Sequence, residues 1–240
     1  MDKNAKSRSN TQESINIEKI KDSKSEYDKS IKVILLGDTN VGKSSIIDRL
    51  ITNTFNINQP TTVGLEHHNL IIRVNGFTLR MQIWDTAGQE KFDSIAITYY
   101  KSTEVVIFIY AINIRNSFDR ISDWVKQFEN NSSKDDDVLK ILIGNKTDLN
   151  EERKVTLEEG EDLAKKIGCQ YFEEISCLDK ENEENNNKFN KIIEVIGRKF
   201  YDAWKISKSD RLNSGSFNYV ATESMLKVGE GRKEKKKCAC

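Results

Sequence analysis

Two hydrophobic rhythms alternate along the chain from residue 31 onward. Nearly unbroken apolar runs at residues 31–36, 105–111 and 138–143 have the length and β-branched content of strands buried on both faces, and Tyr171 to Ile175 reads as a last strand. Between them Ile46, Ile47, Leu50 and Ile51 recur at helical spacing, as do Phe118, Ile121, Trp124, Val125 and Phe128, which predicts helices laid by one face on a sheet. Ser117, or Asn116 before it, is expected to cap the second of these. Thr156 opens a further helix that runs through Ile167 until Gly168 stops it, and a last helix spans about Asn187 to Trp204. Residues 65–74 and 77–84 flank Asn75-Gly76, a two-residue hairpin signal, so these strands pair antiparallel. The pattern predicts an α/β fold: a mostly parallel six-stranded sheet with one antiparallel edge strand and helices on both faces. Ligands of such sheets sit at the carboxyl ends of the strands.

The flanks read differently. Residues 1–29 mix Lys, Asp, Glu, Ser and Asn with few apolar positions and are expected to be a disordered extension, in which Ser14 to Ile20 is at most a transient helix. Residues 205–240 are expected to be a flexible tail, which leaves 30–204 as the folded domain. With 37% hydrophobic and 32% charged residues over 240, one sizeable core is affordable. The formal net charge of +0 argues against nucleic acid as a partner and leaves electrostatics to local clusters. No apolar run approaches the ~20 residues of a membrane span, and the first thirty lack a secretory signal, so a cytoplasmic protein is expected. The four cysteines, Cys169, Cys177, Cys238 and Cys240, have neither zinc-ligand nor disulfide spacing.

Where the first strand meets the first helix, Gly37-Asp38-Thr39-Asn40-Val41-Gly42-Lys43-Ser44-Ser45 fits G-x-x-x-x-G-K-[ST], the phosphate clamp of the P-loop NTPase fold. Its backbone N–H groups curl round a phosphate, Gly42 lets the main chain approach, Lys43 adds a point charge and Ser44 is a Mg²⁺ ligand. The helix beginning there aims its dipole at the same anion. The second hairpin strand delivers Asp85 and Gly88 within Trp84-Asp85-Thr86-Ala87-Gly88-Gln89. Asp85 can hold Mg²⁺ through water, and the Gly88 N–H can meet a terminal phosphate. Asn145-Lys146-Thr147-Asp148 selects the base. The Asp148 carboxylate accepts from both the ring N–H and the exocyclic amine of guanine, donors that adenine lacks, while Asn145 braces the loop and the Lys146 stem covers the base. Phe55, just past the clamp helix, either lies across a base or pins its loop to the core.

With these motifs in order, the sequence resembles the Ras superfamily of small GTPases over roughly residues 30–204. The resemblance implies GTP and GDP as ligands with Mg²⁺, and GTP hydrolysis. It makes Thr62 the threonine that reaches Mg²⁺ and the terminal phosphate, and Gln89 the residue that orients the attacking water beside Lys43. Ser176 and Cys177 would present backbone N–H groups to the guanine oxygen, although Cys177 and Leu178 stand where family members carry Ala-Lys. Trp84 to Phe92, then Tyr99-Tyr100-Lys101, look like the Rab branch, with departures at Val63-Gly64-Leu65-Glu66-His67. The terminus Cys238-Ala239-Cys240, after Arg232, Lys233, Lys235, Lys236 and Lys237, is similar to a Rab double-geranylgeranylation signal, which would make the protein peripheral on the cytosolic leaflet. Implied partners are effectors of the GTP form, an exchange factor, an activating protein, and the prenyl transferase, escort and dissociation inhibitor, acting on a monomer in vesicle trafficking. The rival expectation is a guanine-nucleotide scaffold that stays loaded without cycling.

Overall fold

A computed structural model describes residues 15–21, 25–60, 62, 64–86, 100–133, 137–179 and 181–215. Its strands are β1 (Ile17–Ile20), β2 (Lys29–Leu36), β3 (Leu65–Val74), β4 (Phe77–Thr86), β5 (Val105–Ala111), β6 (Leu139–Asn145) and β7 (Tyr171–Ile175). The helices are α1 (Lys43–Thr52), α2 (Arg115–Asp119), α3 (Ile121–Asn131), α4 (Leu157–Lys166) and α5 (Glu183–Gly215), with a 3₁₀ turn at Thr147–Glu152. One 7-stranded sheet has the order β1-β3-β4-β2-β5-β6-β7. The five strands from β4 to β7 run parallel, β3 is antiparallel to β4, and β1 is antiparallel to β3. Successive strands are laid down on opposite sides of β2, so the crevice at its carboxyl end is where a ligand is expected.

Side-chain alternation on these strands builds two layers. Ile34, Leu36, Val106, Phe108 and Tyr110 face Phe118, Ile121, Trp124 and Phe128 of α2 and α3, where Phe128 meets Phe108 and Tyr100 edge-on. On the other face α1 packs against β3 and β4, and Gly197 lets α5 come within reach of Ile72 and Val74. The hairpin turn takes its expected form, with Asn75 at φ 46 and Gly76 at φ 86. Thr156 caps α4 through a reciprocal box with Glu159.

Five expectations are corrected. The sheet has a seventh strand because Ile17–Ile20, read as part of a disordered extension and at most a helix, pairs with Ile71–Val74. The edge of β3 supplies what the local sequence lacks, a partner for the backbone and cover for Ile17. Neither Ser117 nor Asn116 caps a helix: α2 starts at Arg115, and the Ser117 hydroxyl instead accepts from Ala111 N (3.1 Å) and donates to Ile114 O (2.6 Å). A break at Arg120 then separates α2 from α3. The last helix starts at Glu183, where Asn182 Oδ1 accepts from Asn185 N (3.0 Å) and two glutamates sit in the first turn. It also runs on to Gly215, through the start of the stretch read as flexible. Tyr100, expected exposed or half-buried, is fully buried, whereas Phe92, Ile95 and Tyr99 lie outside the described residues. The chain divides into two units, Met1–Tyr201 and Asp202–Cys240. In the second, Lys208 Nζ lies 4.0 Å from the centre of the Trp204 ring.

Candidate nucleotide site

The phosphate loop leaves β2 by two close approaches that only glycine permits. A Cβ at Gly37 would stand 2.2 Å from Ile109 O, and one at Gly42 would stand 2.2 Å from Asn145 Nδ2. Gly42 also takes φ 97 as it starts α1, and Asn40 takes φ 64 inside the loop. Val41 is fully buried, and its carbonyl accepts from Asn145 Nδ2 at 2.8 Å. That bond joins the clamp to the end of β6.

Thr39, Asn40, Gly42, Lys43, Ser44 and Ser45 line a cavity of about 350 Å³, to which Gln59, Pro60, Thr62 and Thr86 also contribute. Lys43 Nζ donates to Gly37 O and Asp38 O, each at 2.9 Å. Burial pushes its pKa down to about 8, against the pull of Asp85 and Asp38. Asp38 turns its carboxylate outward from the loop, accepting from Trp124 Nε1 at 2.9 Å and pairing with Arg120 at 3.2 Å. The Ser45 hydroxyl donates to Gln59 Oε1 (3.0 Å), and Gln59 Nε2 donates to Asp48 Oδ2 (3.1 Å), which ties the loop after α1 to that helix.

Three separate segments bring hard oxygen groups to one point. Ser44 Oγ and Thr62 Oγ1 are 2.7 Å apart, Thr62 donates to Asp85 Oδ2 at 3.0 Å, and Ser44 donates to the same oxygen. Asp85 is fully buried, and its Oδ1 has no hydrogen-bond partner among the described residues. Burial raises its pKa, while the two hydroxyls and Lys43 oppose the rise. A buried carboxylate oxygen without a donor beside two hydroxyls suits a hard, hydrated divalent ion such as Mg²⁺. Among the described residues no three His, Cys, Asp or Glu side chains gather as a metal cluster, here or elsewhere.

A second group of residues gathers at the ends of β6 and β7. Lys146 sits at φ 70 with its side chain half-buried, and burial lowers its pKa. Asp148 Oδ1 accepts from the Ser176 hydroxyl at 2.5 Å. Cys177 is buried against Asn145, its Sγ 3.5 Å from Asn145 Oδ1, and burial pushes its thiol up to about 12. Leu178 is 49% exposed, an apolar side chain left at the rim. Phe55 is half-buried and does not line the phosphate cavity. Gly88, Gln89, Cys238 and Cys240 lie outside the described residues.

Sequence reasoning missed several supports of this site. Trp124 counted only as core, though an indole N–H needs an acceptor when buried, and Asp38 is that acceptor. Gln59 and Pro60 sat in a stretch without periodicity. Arg49, on a helix face otherwise apolar, and Asn185, one of three consecutive asparagines, carried no signal to set them apart.

The profile of the Ras family matches residues 32–198. Ras-related protein Rab-11B of Dictyostelium discoideum is 39% identical over 167 residues, covering 69% of this chain and 74% of that protein. Ras-related protein Rab-15 of Rattus norvegicus is 32% identical over 187 residues, 78% of this chain and 87% of its own. Ras-related protein RABA2c of Arabidopsis thaliana is 35% identical over 176 residues, 72% and 80% of the two chains.

Proposed function

This chain belongs to the Ras family, as a divergent Rab-type GTPase, and from that premise we propose that it is a Mg²⁺-dependent, membrane-anchored switch that recruits effectors in vesicle trafficking. The observation that carries the reading is the meeting of Ser44, Thr62 and Asp85 beside Lys43. Bound there, Mg²⁺ supplies charge neutralisation on the transferred phosphoryl group. Ser44, Thr62 and Asp85 would hold the ion, Asp85 through water, and Lys43 would spread the charge. Gln89 orients the attacking water. Thr62 belongs to the segment between α1 and β3, so its contact is available only when that segment is drawn in, and the Gly88 N–H acts likewise after β4.

The site's motifs contain no arginine poised to stabilise the transferring charge. An activating protein therefore supplies one, and an exchange factor opens the site. Gly37 through Ser45 hold the phosphates and Asn145, Lys146, Asp148, Ser176 and Cys177 hold guanine, with Phe55 across or beside the base. Residues 30–204 act as the switch domain and 205–240 as the tether. Two geranylgeranyl chains on Cys238 and Cys240, with the preceding lysines, give stable attachment to the cytosolic leaflet where one chain gives only marginal binding. The transferase, its escort and a dissociation inhibitor handle that terminus.

A single-turnover phosphate-release assay tests the chemistry. Release that needs Mg²⁺, and that slows in Gln89→Leu and in Ser44→Asn, is the expected result. Wild-type rates in Gln89→Leu, or release indifferent to Mg²⁺, overturn the reading.

A further inference from the structure

The segment after β7 is held by side chains of α5 and α1 that do not line the phosphate cavity. Asn185, 7% exposed near the start of α5, uses its whole amide on that segment. Its Oδ1 accepts from Ser176 N at 3.0 Å, and its Nδ2 donates to Ser176 O at 2.6 Å and to Asp179 O at 2.7 Å. Arg49 of α1, 1% exposed, donates to Cys177 O at 3.3 Å and to Asn186 Oδ1 at 2.6 Å, its guanidinium 4.8 Å from the Phe189 ring centre. The carbonyls of Ser176, Cys177 and Asp179 are thus all turned toward α5 and α1. A trans peptide is planar, so fixing Ser176 O on Asn185 points Cys177 N–H the other way. The Ser176 hydroxyl, fixed with its backbone, reaches Asp148 and accepts from Leu178 N at 3.2 Å.

We propose that Asn185, backed by Arg49, is the positioning residue of the base-reading loop: it aims Cys177 N–H at the 6-keto oxygen of guanine and sets how slowly the nucleotide leaves. This rests on the guanine-nucleotide reading above. A buried amide whose side-chain hydrogen bonds all go to one loop gives that loop a single orientation, whereas the exposed Leu178 gives it none. α1 then carries the phosphate clamp at one end and Arg49 at the other, so the two ends of the nucleotide are read by parts of one rigid unit.

Release of fluorescent GDP from the full chain, chased with excess GDP, tests this in the wild type, in Asn185→Ala and in the isosteric Asn185→Asp, which loses both donors. A competition between GDP and 6-thio-GDP, whose sulfur is a poor acceptor, reads the contact itself. The wild type prefers GDP by about tenfold, both variants release GDP about tenfold faster, and their preference over the thio analogue collapses toward unity. The acceleration caused by chelating Mg²⁺ is unchanged in the variants, since the phosphate end is untouched. Wild-type release in both variants overturns the proposal, as does faster release with the thio preference intact, which marks Asn185 as a stabilising residue only. A wild type without that preference overturns it too, with no variant needed. If the wild-type chain fails to bind GDP at all, the proposed function fails instead.

Discussion

Gly42 shows how tightly the site is drawn at the scale of single residues. Its left-handed φ and the 2.2 Å gap to Asn145 Nδ2 leave a methyl group no place, so Gly42→Ala must break the bond from Asn145 to Val41 or distort the loop. The variant is expected to lose most GDP affinity, and the left-handed conformation alone costs it about 1–2 kcal/mol, read by comparing thermal shifts with and without GDP. Cys169 makes a prediction about pH. Burial holds its thiol protonated up to about 12 in the fold, against an ordinary value of 9.0, so the unfolded chain gives up that proton first. The contribution is fully present below pH 9 and is lost as pH rises toward 12. Urea midpoints should fall with rising pH in the alkaline range, and Cys169→Ala should make the fall shallower. Ser44 and Asp85, expected at one ion, were legible because that chemistry fixes both type and spacing, and their side chains do meet. Asn185, Arg49 and Trp124 were not, since what they do depends on a partner brought in by tertiary packing.

Elements were legible where their own pattern sufficed. The β3–β4 hairpin announced itself through Asn75-Gly76, and α4 through Thr156, whose reciprocal partner Glu159 emerged only in the fold. β1 did not, because four residues with two adjacent charges between isoleucines form a strand only against a waiting edge. That edge is held at several points. Asn16 and Asn75 exchange hydrogen bonds at 3.0 and 3.2 Å, Lys19 Nζ reaches Leu50 O in the last turn of α1 at 2.8 Å, and Glu18 pairs with Arg73. Deleting residues 1–21 should therefore lower stability by roughly 1–3 kcal/mol, with faster amide exchange at Ile71–Val74, while GDP binding persists. Loss of GDP binding in that truncation would show that β1 reaches further into the site than its contacts do. Close packing of α4 makes a second prediction at this scale. A Cβ at Gly160 would meet Phe172 at 2.5 Å and the Tyr110 hydroxyl at 2.6 Å, so Gly160→Ala should cost about 1–3 kcal/mol in urea unfolding as α4 is pushed off β7.

The whole molecule, with a formal net charge of +0, has no long-range field to draw it to an anionic surface, and among the described residues no helix is long and apolar enough to cross a membrane. The proposed attachment rests instead on the terminal cysteines and the lysines before them. Replacing Cys238 and Cys240 by serine should move the protein from the pelleted membranes to the soluble fraction, and continued pelleting would reject the lipid anchor. The base decides the account as a whole. On the proposed reading Asp148, steadied by the Ser176 hydroxyl, accepts two donors that guanine has and adenine lacks, so adenine seated there would leave the carboxylate unmatched. Parallel titrations of the nucleotide-free chain with GDP and ADP in Mg²⁺ measure this directly. A preference for GDP of about 10⁴-fold is the predicted result, and comparable affinities for the two would contradict it.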